Sequence, residues 1–258
     1  MLFDDENDAL FGGEDESSGE RNIETLKNKA RSGDAESQYT LGLNYSLGNG
    51  VDKNMEEALK WFNKSAESGY SYAQYILGNM YATGEGCDQD DKMAMKWLSR
   101  AADQDYADAQ YKMGWMLTYG LQVGKDLVEA EKWFRKAANQ HHPMSQFELA
   151  LIYDVGRGVG KDSKEAFRWY KMSAEMGNAQ SQAALGYLYA FGTDGVEENV
   201  EEAIKWWQEA ASQNNAESQY NLGSAYARLA ISYWDKAKSN GIKEAGYMLD
   251  LAKQMEWE

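Results

Sequence analysis

Tryptophan recurs at a fixed step in this chain. Trp61, Trp97, Trp133 and Trp169 stand 36 residues apart, and Trp206 follows after 37. Tyr39, Tyr75, Tyr111 and Phe147 keep the step, as do Gly42, Gly78, Gly114, Ala150 and Gly186, with Gly223 one residue late. A period of this length means that no single unique core organises the chain. Each period is one supersecondary unit that buries its apolar face against the next, so the expected fold is an all-α solenoid of stacked helical hairpins.

Within a period the pattern resolves into two helices. Gln38, Leu41, Gly42 and Tyr45 share one face of the first, and Ala58, Trp61, Phe62, Ser65 and Ala66 form one stripe on the second. Between them lie glycine loops: Gly48-Asn-Gly-Val51, Gly84-Glu-Gly-Cys87, Gly120-Leu-Gln-Val123, Gly156-Arg-Gly-Val159 and Gly192-Thr-Asp-Gly-Val196. Glycine adopts the positive φ that ends a helix and reverses the chain. The predicted divisions are an acidic disordered tail (1–21) and a solenoid (22–258). The solenoid comprises a half-unit (22–33), five full units (34–69, 70–105, 106–141, 142–177 and 178–214), a degenerate unit (215–241) and a capping helix (242–258).

Two rows of small residues run through the first helices. The glycine row costs about 1 kcal/mol per residue in helix propensity, and Ser37, Ala73, Ala109, Ser145, Ser181 and Ser218 form the second row. Together they let the second helix approach closely, with its Trp and the adjoining aromatic over the gap. A third row, Gln38, Gln74, Gln110, Gln146, Gln182 and Gln219, has no catalytic logic and reads as buried amides tying a neighbouring helix end.

These residues resemble the Sel-1-like repeat, a relative of the tetratricopeptide repeat. The likeness lies in A-x-x-Q-Y-x-L-G-x-x-Y (Ala35 to Tyr45), G-x-G-V (Gly48 to Val51) and E-A-x-x-W-x-x-K-A-A-x-x-G (here Glu57 to Gly69, with Ser65 in place of the first of the paired alanines). It covers roughly residues 22 to 250 and recurs five times almost complete. The resemblance implies a right-handed α/α superhelix used for protein–protein contact, with no catalytic residue to carry over. The pattern departs in places. Leu117 replaces a tyrosine, the Gly120 loop lacks its second glycine, and Tyr226 stands 8 residues before Trp234 where earlier units have 16, so the sixth pair of helices is expected to be shortened or fused. Secreted members of the family carry paired cysteines. Cys87 is the chain's single cysteine, which points to a reducing compartment.

With 42 acidic against 26 basic residues, the chain lacks the basic face that nucleic acid requires. The first twenty residues hold eight acids, no base and no apolar run, so they are not a signal peptide. Such composition is disordered. A solubilising tail is its plainest reading, with Leu2-Phe3 and Leu10-Phe11 as docking motifs or groove contacts the alternative. A cytoplasmic protein without a membrane span is expected. His141-His142 precedes Pro143 at a unit junction without a local carboxylate cluster, and Asp88-Gln-Asp-Asp91 lacks the glycine and distal glutamate of a calcium loop. The glycine loops match neither a phosphate loop nor a dinucleotide fingerprint. No catalytic, cofactor-binding or metal site is predicted, and the chain is not expected to be an enzyme.

In arrays of this kind the first helices line the concave face. Positions one and five residues after the helix glycine then point toward the groove, and in the middle units they are Trp115, Tyr119, Leu151, Val155, Tyr187 and Phe191. Exposed, this stripe is a partner-binding surface; buried between units, it is core. The expected function is a non-catalytic scaffold or adaptor, acting as a monomer on one or more protein or peptide partners, a basic one among the candidates. An inhibitor such as a bacterial immunity protein is the alternative, and a hydrolase finds no support in any Ser-His-Asp arrangement. Residues 1 to 20 supply −8 of the net −16, so the solenoid is only moderately acidic.

Overall fold

The computed structural model describes residues 16–120, 124–193 and 195–254. The tail segment 1–15, with both Leu-Phe pairs, lies outside them, as do loop residues 121–123 and the final four residues of the predicted capping helix. The described residues form thirteen α-helices and no strand, only an isolated bridge between Thr193 and Val196. They divide into two compact units, at Lys125 and Asp126.

The first unit contains α1 (Glu16–Arg31), α2 (Ala35–Leu47), α3 (Met55–Glu67), α4 (Ser71–Thr83), α5 (Asp91–Ala102) and α6 (Ala107–Tyr119). The second contains α7 (Leu127–Asn139), α8 (Pro143–Val155), α9 (Ser163–Glu175), α10 (Ala179–Phe191), α11 (Val200–Ser212), α12 (Ala216–Ser239) and α13 (Lys243–Gln254). Within each unit every helix packs on the next one in the chain. This is the nearest-neighbour construction of a solenoid. Helix α1 starts at Glu16, inside the segment that composition assigns to the tail.

Both helix types begin and end by rule. The second helices start at Asn54, Asp90, Asp126, Asp162 and Asn199, whose side chains accept first-turn amide N–H bonds. Asp90 in the acidic run is thus a helix cap. The second helices exit through a left-handed residue, which is glycine at Gly33, Gly69, Gly177 and Gly241 but Asp105, His141 and Asn214 elsewhere, with φ near +60°. His141 therefore occupies a glycine position, while His142 caps α8 by accepting the Ser145 N–H at Nδ1 (3.1 Å).

The glutamine row has one job. Each Nε2 donates to the carbonyl eight residues earlier, in the last turn of the preceding second helix: Gln38 to Ala30 and Gln74 to Ala66 at 3.0 Å, Gln110 to Ala102 at 3.1 Å, Gln146 to Ala138 and Gln182 to Ala174 at 3.2 Å, Gln219 to Ala211 at 3.3 Å. Those carbonyls lie past the reach of the i+4 amides of a continuing helix and also accept the backbone N–H three residues on, as from Gly33 to Ala30 at 3.2 Å. The residue after the tryptophan, not the tryptophan itself, covers the helix glycine. A Cβ on Gly42 would meet Phe62 at 2.7 Å and one on Gly78 would meet Leu98 at 2.7 Å, and at Gly186 the blocking side chain is Trp207. The periodic Trp97 and Trp169 turn instead into the joins between repeats, beside Ala66 and Leu77 in one case and Ala138 and Leu149 in the other.

The degenerate sixth repeat is fused. Leu229 stands where the first repeat has Gly48, and α12 runs on for 24 residues.

Candidate protein-binding surfaces

The first helices leave one edge open along each unit. On α6, Trp115 and Tyr119 are 37% and 61% exposed, and their rings meet at 4.7 Å. On α10, Tyr187 and Phe191 are 55% and 58% exposed, with ring centroids 4.6 Å apart. Each pair is spaced i, i+4, so both rings lie on one side of the helix, stacked along its axis. Val155 on α8 is 58% exposed. Leu151 differs: it is half-buried and packs against the core formed by Trp169, Tyr170 and Leu149. Trp115 and Tyr119 belong to the first unit and the other four residues to the second. The stripe predicted from the sequence is therefore described as two patches. Repeat position alone does not decide exposure, because Asn79, at the position of Trp115 and Tyr187, is buried.

A second aromatic group, not anticipated from the sequence, lies at the N-termini of α2, α4 and α6. Tyr39 packs on Tyr70 (5.3 Å) and Tyr72 (6.1 Å), Tyr72 continues to Tyr106 (5.0 Å), and Tyr106 meets Tyr75 (5.0 Å). Tyr70 and Tyr106 hold N-cap positions but make no capping bond, unlike Asp34, His142, Asn178 and Asn215. Ring contact replaces the cap. Burial pushes the Tyr39 hydroxyl up to about 12, with Tyr70 and Tyr72 adding to the shift. The cluster of Tyr70, Tyr72 and Tyr75 within one turn and a half of sequence was the available signal.

Polar contacts between repeats are structural. Arg135 donates to Glu131 Oε1 (2.8 Å), which also accepts from the Tyr153 hydroxyl (2.9 Å), and Gln208 donates to Tyr226 (2.6 Å) at the equivalent place. Burial raises Glu148, with Arg157 partly offsetting it, and burial beside Asp154 raises Tyr170. Ser145 Oγ lies 2.9 Å from His142 Nδ1, but Ser145 is fully buried and the imidazole caps α8, so no substrate reaches this pair. Cys87 is a half-buried free thiol packed against the Phe62 and Met80 cluster. Among the described residues, no group of three or more His, Cys, Asp or Glu is placed to hold a metal ion, and no helix is long and apolar enough to cross a membrane.

Comparison with known proteins agrees with this architecture. The Sel1 repeat model matches residues 35–70, 71–106, 107–142, 143–178, 179–215 and 216–242. Among solved structures, a Sel1 repeat protein from Oxalobacter formigenes is similar at 32% identity and a TM-score of 0.71, over 93% of this chain and 100% of that one. The protein c5321, a protective antigen of uropathogenic Escherichia coli with the same kind of repeat, is 31% identical with a TM-score of 0.59; the match covers 90% of this chain and 59% of that one. No curated protein matches the chain. Six consecutive repeat matches, carried by helices tied end to end through the same glutamine-to-alanine bonds, show that the chain belongs to the Sel1 repeat family.

Proposed function

We propose that this chain is a non-catalytic adaptor that binds protein or peptide partners on the exposed side chains of its first helices. Sel1 repeats generally mediate protein–protein interaction, and the observation that carries the reading here is the Tyr187–Phe191 pair. Two large rings, each more than half exposed, are held in mutual contact on a rigid helix. Rings so pre-ordered lose little conformational freedom on binding, which is what makes aromatic anchors effective. Trp115 and Tyr119 repeat the arrangement on α6.

The test is affinity capture from cell extract with the wild type and with a Trp115→Ala/Tyr187→Ala variant, alongside circular dichroism. Loss of the captured partners at unchanged helicity supports the reading; loss of helicity makes these side chains core, and unchanged capture removes them from the interface. Recovery of a single effector whose activity the chain suppresses would make it an inhibitor and not an adaptor.

A further inference from the structure

The three half-buried tryptophans of the second helices differ in what covers them. In the first repeat the Lys64 ammonium stands 4.0 Å from the centre of the Trp61 ring, and in the third Lys136 stands 3.9 Å from that of Trp133. Both lysines are three residues after the tryptophan. In the same two repeats the lysine preceding the tryptophan is drawn away by a glutamate, Lys60 by Glu57 and Lys132 by Glu129. The fifth repeat keeps the second feature and reverses the first. Lys205 pairs with Glu202, but the residue three after Trp206 is Glu209. Among the described residues no cation stands over the Trp206 ring, and the Glu209 carboxylate has no hydrogen-bond or ion-pair partner.

At this place the surface opens into a groove of about 430 Å³ between the C-terminal end of α9 and α11, lined by Glu175, Gln182, Glu202, Lys205, Trp206 and Glu209. Trp206 forms an anchored wall because its other face packs on the α9 and α10 core. Gln182 is held in place, its Nε2 donating to the Ala174 carbonyl and its Oε1 accepting from Gln213. What remains is an aromatic face and the Glu209 carboxylate, since Glu202 is paired with Lys205 and Glu175 with Lys171 (3.9 Å).

We propose that this groove takes an arginine side chain presented by a protein partner, which stacks on Trp206 where Lys64 and Lys136 stack on Trp61 and Trp133, and forks to Glu209. The two intact repeats show that this ring position accommodates a cation; the carboxylate at 209 changes its source from the chain itself to a partner. Arginine is favoured over lysine because its planar guanidinium stacks and donates to a carboxylate at once. The site is distinct from the exposed rings of the first helices and stands or falls without them.

Titration of the full chain with an acetyl-Gly-Arg-Gly amide peptide, followed by the indole N–H resonances with Trp206 assigned through Trp206→Phe, tests the assignment. The Trp206 signal is expected to shift saturably with a millimolar dissociation constant that rises with salt, while the Trp61 and Trp133 signals stay in place. The citrulline analogue, neutral and of the same shape, is expected to bind at least about tenfold more weakly. Glu209→Lys, which restores the residue found three after Trp61 and Trp133, is expected to abolish the shift and leave the melting temperature unchanged or higher. The proposal fails if Trp206 does not respond, if Trp61 and Trp133 respond equally, if citrulline binds as well as arginine, or if folded Glu209→Lys still binds.

Discussion

The first and sixth repeats open with almost the same residues and end in different surroundings. Ala35-Glu-Ser-Gln-Tyr-Thr-Leu-Gly42 and Ala216-Glu-Ser-Gln-Tyr-Asn-Leu-Gly223 differ at one position. In the first repeat Leu41 is fully buried, Tyr39 packs among Phe62, Tyr70 and Tyr72, and Gly42 lies under the Phe62 ring. In the sixth, Leu222 is half-buried, Tyr220 is 75% exposed, and a Cβ on Gly223 would meet nothing within 4 Å. The cause is the missing return of the chain: α3 folds back over α2, whereas α12 continues past the point where a glycine would have stopped it. A repeat signature specifies a helix face, and the next helix decides whether that face becomes core.

The largest expected contrast lies at the two glycines. Gly42→Leu forces the Phe62 ring away and is expected to cost about 3 kcal/mol or more, whereas Gly223→Ala, with open space around it, is expected to stabilise by roughly 0.5–1 kcal/mol through helix propensity. Chemical denaturation of the two variants gives opposite shifts in midpoint; the same sign at both would remove the distinction drawn here. Next come the glutamines. Gln38→Ala removes one of two bonds accepted by the buried Ala30 carbonyl, the other coming from the Gly33 N–H at 3.2 Å, and is expected to cost about 1 kcal/mol, while Gln219→Ala, on an exposed bond, costs a few tenths. Equal losses would mean that burial is not what gives the bond its value.

The smallest effect is read through pH. Tyr39 is held protonated by burial, its folded pKa raised to about 12 from the ordinary value of 10. Its contribution is complete below pH 10 and is lost as pH rises toward 12, because the unfolded chain releases that proton first. Thermal melts between pH 8 and 11 should show a decline that is reduced in Tyr39→Phe. A decline that ignores Tyr39→Phe would assign the alkaline sensitivity elsewhere.

Much of the molecule was readable from spacing. The 36-residue step placed the hairpins, the glutamine row tied helix ends as expected, and the acidic run before α5 was a helix start. What spacing could not supply was the choice among neighbours. Trp61 and Phe62 are adjacent and both apolar, and only the packed helices show that Phe62 covers the glycine. The sequence left the sixth repeat as shortened or fused, and the helix-forming run from Leu229 resolves it as fused. The exposed positions were harder still: Asn79 and Tyr187 share a repeat position and have opposite burial, because the size and reach of neighbouring side chains, not the period, set access to water. The run of Tyr70, Tyr72 and Tyr75 and the glutamate three residues after Trp206 both stand in the sequence, but what each packs against shows only when one repeat is laid beside the next in space.

Within each unit every helix leans on its neighbours along the chain, and this has a consequence for how such a molecule can change. A perturbation in one hairpin has no shared centre through which to spread and fades after about one repeat. The rings on α10 and the groove beside α11 can therefore be retuned separately, so long as the glutamine, alanine and glycine lattice beneath them is left alone. Specificity in such a chain is written in interchangeable surface positions, each answerable only to the repeat that carries it and the two beside it.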